Sequence, residues 1–365
     1  MRLQSLILLA GLAALAARAG ATENLSSSPA DPNRTVQGGS RAAETIPAYT
    51  PQGALTGELH AMGTDVMDTL TLAWLEIFRK AHPQVEATQE ARGANTVFPG
   101  LMSGASQLGP LSREASAQEV DAFTEKFGYP PTAIRVALGT YDVFGLSPPI
   151  VIFVHRDNPL EEITLEQLEE IYARDGKITT WGQLGLTGEW AHRPIALWGL
   201  RSPNGTATFF QSAGMHGRDF RPTMILRPTA DGLSRSAQRA ANGGVQAFVD
   251  TLAGVAQDRF ALGYAAPGYN PAGVKMLALV PGAGVAAVSP TRENVASLRY
   301  PLCRFAYLYL DRAPGKALGP NVKEFLRIVL SQQGQELVAL RSGFLPLPAR
   351  IVREELAKLD RPFSP

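Results

Sequence analysis

The chain has 365 residues, with 34 Lys and Arg against 33 Asp and Glu, a formal net charge of +1, and 45% apolar residues. Charges so balanced, with no run of one sign, exclude nucleic acid or an anionic membrane surface as the main partner. The length suits two domains that each bury a core, and the single cysteine, Cys303, excludes an intrachain disulfide and cysteine-based zinc sites.

Residues 1–21 read as a secretory signal peptide. Arg2 supplies a positive start, Leu3 to Ala17 is almost all Leu, Ile and Ala, and Ala17-Arg18-Ala19 has the small-x-small form of a cleavage site. The apolar run is too short for a membrane span, and no cysteine lies nearby to carry a lipid. Residues 22–55 are rich in Ser, Pro, Gly, Asn, Thr and Ala and read as a flexible leader, because such a stretch buries too little to offset its ordering entropy.

The fold is expected to begin with a strand over Gly57–Met62. A polar turn, Gly63-Thr64-Asp65, follows, with Asp65 where an N-cap is wanted. Val66, Leu70, Ala73, Trp74, Ile77 and Ala81 then recur at helical spacing until His82-Pro83 stops the helix. A second turn, Arg92 to Thr96, follows a strand near Val85. A third, Gln107 to Arg113, precedes a helix over Ala117–Phe127. Three rounds of strand, glycine turn and helix predict parallel α/β topology.

Ile134–Leu138 and Pro149–Val154 read as buried strands, Thr164–Ala173 as a helix with a Thr164/Gln167 capping box, and Trp181–Arg193 as loop. A fourth turn, Gly199 to Thr206, lies between the apolar run Pro194–Trp198 and a helix starting at Ala207. Strand, glycine turn and helix N-terminus together offer free N–H groups to an anion. Arg201 would add charge, and Asn204 and Thr206 side-chain donors. Beyond it come a helix near Val245–Leu252 and strands over Phe260–Tyr264, Lys275–Leu279 and Cys303–Leu310. Helices around Val322–Leu330 and Gln333–Leu340 close the pattern. Cys303 lies in a buried run and reads as an inert core thiol.

The chain shows no Gly-x-Ser-x-Gly elbow, no Walker lysine, no dinucleotide fingerprint and no matched carboxylate pair. Its histidines, at 60, 82, 155, 192 and 216, are scattered. What recurs is donors in turns: Thr64, Asn95, Thr96, Ser112, Arg113, Arg201, Asn204 and Thr206. Donors without an evident base or nucleophile suit holding an anion rather than transforming it.

Several motifs stand in one register: Gly63-Thr64-Asp65, the Gly93–Thr96 turn, Leu108-Gly109-Pro110-Leu111-Ser112-Arg113, Trp181-Gly182-Gln183-Leu184-Gly185, Asn204-Gly205-Thr206 and Gly343-Phe344-Leu345-Pro346-Leu347-Pro348. In this order the chain, from about Gly57 to Ala349, resembles the periplasmic phosphate-binding proteins (PstS family) of bacterial ABC importers. The resemblance implies a two-lobed type II solute-binding fold, α/β, with mixed, mainly parallel sheets flanked by helices and a two-strand hinge. Lobe 1 would comprise 56–145 and 267–365, and lobe 2 would comprise 146–266. It also implies a monomer in the periplasm or secreted, with a phosphate ion or related oxyanion as ligand and an ABC permease as partner. No cofactor and no metal are implied.

Carried over residue by residue, Thr64, Ser112, Arg113, Gly205 and Thr206 match family ligand positions. The family's Gly-Ser-Ser-Thr turn reads Gly93-Ala94-Asn95-Thr96 here, and its Ser before Gly-Thr is Asn204. The family arginine aligns with Leu200, so Arg201 stands one residue late. Each donor lost to a charged group costs about 1.5–3 kcal/mol unless Asn95, Asn204 and Arg201 compensate. Asp65 is the candidate acceptor for a phosphate proton. The alternative keeps the fold with another oxyanion, a phosphate ester or no ligand, as a scavenger, sensor or secreted accessory protein. A phosphoester hydrolase on this scaffold would lack metal ligands and an activated nucleophile.

Overall fold

The computed structural model describes residues 46–142, 146–200, 205–227 and 243–361. The expected signal peptide, most of the expected leader, and the candidate residues Arg201 and Asn204 lie outside these.

The first sheet grows from β1 (Gly57–Gly63) and β2 (Val85–Ala91), parallel partners in register from Gly57 opposite Val85 to Gly63 opposite Ala91. Alternation along β1 buries Leu59 and Ala61 on the inner face. Between the two strands runs α1 (Asp68–Ala81), which buries Leu70, Trp74, Leu75 and Phe78 against them. The expected cap moves by one residue. A 3-10 turn over Asp65–Met67 precedes α1, and Thr64, not Asp65, caps it, its Oγ1 accepting from Val66 N at 3.3 Å. β3 (Gly109–Leu111) joins through a parallel bridge between Ala61 and Leu108. β12 (Phe305–Leu310) lies antiparallel between β3 and β4 (Thr132–Leu138). α2 (Val97–Ser103) follows β2, and α3 (Ala117–Phe127) follows β3, opened by a reciprocal Ser116/Glu119 capping box.

The second sheet has the order β10-β5-β9-β7-β8. Its strands are β5 (Val151–His155), β7 (Ala196–Leu200), β8 (Ile225–Arg227), β9 (Ala261–Ala265) and β10 (Val274–Met276). The pairs β7–β8 and β7–β9 are parallel, while β5–β9 and β5–β10 are antiparallel. α4 (Leu165–Tyr172) carries the expected Thr164/Gln167 capping box, and α5 (Gly205–Met215) and α6 (Gly243–Gln257) follow. The single strand expected over Lys275–Leu279 is two. Lys275 pairs with Val154 in β5, Leu277 is fully buried at the break, and β11 (Ala278–Val280) leaves to pair with β6 (Glu162–Thr164). β10 and β11 still belong with partners from the middle of the chain, and the return comes after α7 (Arg292–Ala296).

Two chain segments pass between the sheets side by side. Residues 139–142 follow β4 and residues 146–150 precede β5, while residues 297–304 lead from α7 to β12. Gly139 N donates to Arg304 O at 2.8 Å, Ile150 N to Leu302 O at 3.0 Å, and the Tyr300 hydroxyl to Ile150 O at 2.9 Å. At Gly139 a Cβ would stand 1.7 Å from the Ser147 carbonyl oxygen, so only glycine fits. Cys303 lies in this segment, just ahead of β12. It is buried with its Sγ 3.1 Å from Tyr300 O, and burial pushes its thiol up to about 12. It is the inert thiol its surroundings predict.

α8 (Pro320–Val329), α9 (Gln332–Arg341) and α10 (Ala349–Asp360) complete the first half. Residues 46–55, within the stretch that composition assigns to the leader, are tied to these helices. Pro47 O accepts from Gln332 N, the Tyr49 hydroxyl donates to Glu324 Oε1 at 2.8 Å and meets His82 Nε2 at 2.8 Å, and Gln52 N donates to Glu324 Oε1 at 2.9 Å. A few fixed hydrogen bonds to a buried carboxylate hold a segment with little apolar area of its own.

Candidate functional site

β1, β2 and β3 run in one direction, so the turns that follow them emerge at one edge of the sheet. The backbone then draws those turns together. Arg92 N and Gly93 N both donate to Gly63 O at 3.0 Å, and Thr64 N donates to Pro110 O at 3.0 Å. A Cβ on Gly63 would stand 2.2 Å from Pro110 O, so this approach requires glycine. Three of the four glycine turns therefore share one place.

Their side chains have different tasks. Thr64 is buried and caps its own turn. Asp65 is exposed, with one long contact of 3.4 Å from Thr64 Oγ1. Thr96 Oγ1 donates to Gly93 O at 2.8 Å, holding the second turn closed, and Asn95 Oδ1 lies close against Gly93 in that turn. Ser112 is buried, and its carbonyl accepts from Ser147 Oγ, which ties the third turn to the crossing segment.

Arg113 is not a free donor. Its Nη1 and Nη2 each reach a Glu119 carboxylate oxygen at 2.8 Å, and Nη1 also bonds Glu114 O. The Glu119 hydrogen bond raises the Arg113 pKa above its ordinary value. Burial pushes Glu119 up, but the bonds from Arg113 and Ser116 outweigh it and leave the carboxyl below its ordinary value.

From the second sheet, α5 brings Gly205 and Thr206 to the same place. A Cβ on Gly205 would meet Arg113 Cδ at 3.4 Å and Arg304 Nη2 at 3.7 Å. Thr206 is buried, and its Oγ1 accepts from Arg304 Nη1 at 3.3 Å. Among the described candidates, Arg113, Gly205 and Thr206 thus meet around Arg304, with Ser112 next to Arg113 in the chain and Thr64 joined to the third turn through Pro110.

Two residues at the centre are absent from the sequence-derived set. Arg304 has a side chain only 3% exposed. Its Nε and Nη2 donate to Glu114 Oε2 at 3.1 and 2.8 Å, and its guanidinium stacks over Phe209, 5.1 Å from the ring centroid. Among the described residues Glu114 Oε1 is buried with no hydrogen-bond partner. The signal for Arg304 is a charge inside a run that otherwise reads as a buried strand, since fully buried arginines are rare unless paired. Glu114 carries no comparable signal. No cluster of His, Cys, Asp and Glu fit to hold a metal occurs among the described residues. The chemistry on offer is anion holding: backbone N–H groups at a helix start, hydroxyls and a buried guanidinium.

This architecture and this gathering of donors define a periplasmic-binding-protein-like domain, and the PBP superfamily domain model matches residues 48–333. Within that class the chain belongs to the PstS family. It is 33% identical over 320 residues to the phosphate-binding protein PstS of Pseudomonas aeruginosa, covering 86% of this chain and 90% of that protein. It is 26% identical over 296 residues to protein SphX of Synechococcus elongatus, covering 80% and 77% respectively. The crystal structure of PstS from Borrelia burgdorferi shares the fold at a TM-score of 0.50 and 16% identity, covering 80% of this chain and 99% of that one. The mixed α/β, two-lobed type II fold expected from the motifs is the fold observed.

Proposed function

We propose that this protein captures inorganic phosphate between its two sheets and delivers it to the permease of an ABC importer. The observation that carries this reading is the meeting of Arg113, just past β3, and Arg304, just ahead of β12, with Gly205 and Thr206, at the start of α5. Elements of two different sheets converge there on one donor-rich point, and a guest held at it would pull the halves together. Support for phosphate comes from the 33% identity to a phosphate-binding protein over most of both chains.

On this reading the first lobe holds β1–β4, β12 and α8–α10, the second holds β5, β7–β10 and α4–α6, and the paired crossing segments are the hinge. The signal peptide directs the chain to the periplasm, where it works as a binding protein rather than an enzyme. Arg201 and Asn204, in the fourth turn, would add to the donor set.

Calorimetric titration of anion-stripped protein with phosphate, sulfate, arsenate and a phosphate monoester tests this. Phosphate is expected to bind with a Kd of about 1 μM or tighter. Thr206→Val should weaken it about 10- to 100-fold, the size of one hydrogen bond to a charged group. Heat with the monoester alone would transfer the site to another ligand, and no heat with any anion would refute the reading.

A further inference from the structure

We propose that a cavity between α2, the end of β12 and the start of α8 is a second ligand site, which takes a small carboxylate with a short apolar body. Its volume is about 400 Å³, within the range of small-molecule sites. It lies away from the glycine turns. Those turns follow β1, β2 and β3, whereas Gln107, which lines the cavity, precedes β3, and Asp311 follows β12. Arg304 stands just ahead of β12 and Arg312 two residues past its end, so six residues of strand, about 20 Å, separate the two places.

The charge that calls for a partner is Arg312, which lines the cavity and is 4% exposed. Its Nε donates to Lys316 O at 3.1 Å, Nη1 to Lys358 O at 2.8 Å and Nη2 to Arg361 O at 2.6 Å. These carbonyls hold the guanidinium in place and use three of its five N–H groups. They bring no net charge, and among the described residues no carboxylate pairs with Arg312. Arg113, Arg135 and Arg304 each face a glutamate instead. Burial accordingly holds Arg312 below its ordinary pKa, whereas the Glu119 hydrogen bond raises that of Arg113. A buried cation without a counter-charge is costly, so a guest that supplies one is favoured. Lys316 adds a second positive charge to the lining, and the lining carboxylate, Asp311, is taken up by the Tyr129 hydroxyl at 2.7 Å.

The neutral donors agree. Ser106 lines the cavity and is 4% exposed, and among the described residues its Oγ is buried with no hydrogen-bond partner. A buried hydroxyl left so is itself costly. Beside it, Gln107 Oε1 accepts from His60 N at 2.7 Å, leaving Nε2 to donate. Leu101, Leu310, Leu318 and Val322 line the rest. Donors together with apolar walls select a monoanion that has both a head and a body. A bare inorganic anion uses only the donors, and an alcohol of the same length has no charge to give Arg312.

Ligand-observed NMR titration of the full chain with sodium hexanoate, sodium acetate and hexanol tests the site. Hexanoate should bind with a Kd of about 1 mM or tighter, and acetate and hexanol about 10-fold more weakly or worse. Arg312 also clamps the loop after β12 to the end of α10, so the variants leave it in place. Ser106→Ala and Lys316→Glu should each weaken hexanoate about 3- to 10-fold. Leu318→Trp, which fills the cavity, should abolish binding, with a melting curve showing that the variant is folded. Saturating phosphate should leave the hexanoate Kd unchanged. Equal affinity for hexanoate and hexanol overturns the inference, because the charge then plays no part. Displacement of hexanoate by phosphate overturns it too, since the carboxylate then sits among the glycine turns. So does undiminished binding in Ser106→Ala and Lys316→Glu, whether or not Leu318→Trp folds. None of these outcomes bears on phosphate capture, which its own titration decides.

Discussion

At the scale of single residues, the site neutralises its own charges. Arg113 faces Glu119, and Arg304 faces Glu114. The first pair has a measurable consequence for stability. The folded protein holds the Glu119 carboxyl below its ordinary value of 4.5. Its contribution is therefore complete above that pH and is lost as pH falls through the lower folded value. Glu119→Gln should lower the melting temperature most at neutral pH and flatten part of the acid limb below about pH 4.5, so that the variant and wild-type curves converge in acid. A variant whose acid limb matched the wild type would show that Glu119 is not linked to folding in this way. Residue-level reading of the sequence names Thr64, Ser112, Arg113, Gly205 and Thr206 as candidates because hydroxyls, charge and glycine beside a predicted helix start are local signals. It passed over Arg304 because the site property of that residue lies in its partners, Glu114, Thr206 and Phe209, which lie far from it along the chain.

At the scale of elements, pattern and capping carried most of the information. α3 spans the expected Ala117–Phe127, α4 begins where its Thr164/Gln167 capping box places it, and α1 stops at His82. The pattern failed where a short run serves two partners, as at β10 and β11, since pairing is not written in periodicity. Composition also misplaced the docked segment 46–55, which is held by hydrogen bonds to Glu324 and the start of α9 rather than by apolar area. Tyr49→Phe removes the hydroxyl shared by Glu324 and His82 and should destabilise the protein by about 1–3 kcal/mol in urea unfolding. Gly334 in α9 is a tighter constraint. A Cβ there would stand 2.1 Å from Ile328 O, and its own carbonyl accepts from Trp74 Nε1 at 3.0 Å. Gly334→Ala should cost about 1–3 kcal/mol, because a backbone carbonyl cannot swing aside. Neither change should alter the phosphate Kd measured under folded conditions, and a tenfold shift in either would tie the far end of the sheet to the site.

At the scale of the whole molecule, the paired crossing segments tie the candidate site to both sheets. Arg304 contributes its carbonyl to the crossing through Gly139 N and its guanidinium to the cleft through Thr206. Gly139→Ala would drive a methyl group against Ser147 O, and Ser147 in turn bonds the Ser112 carbonyl. Stability and phosphate affinity should therefore fall together in Gly139→Ala, in contrast to Gly334→Ala. Urea unfolding and calorimetry on the same samples separate the two cases, and unchanged affinity in Gly139→Ala would uncouple the crossing from the ligand.

The docked segment also has a practical use. Its partner His82 precedes the first residue of β2, whereas the Gly93 turn follows the last. A seven-residue strand separates them, about 20 Å of extended chain. A dye, resin linker or fused reporter attached just ahead of Ile46 would thus sit at the end of β2 opposite to the Gly93 turn. If the proposed phosphate binding holds, that end is the one by which to mount the protein on a surface as a sensor.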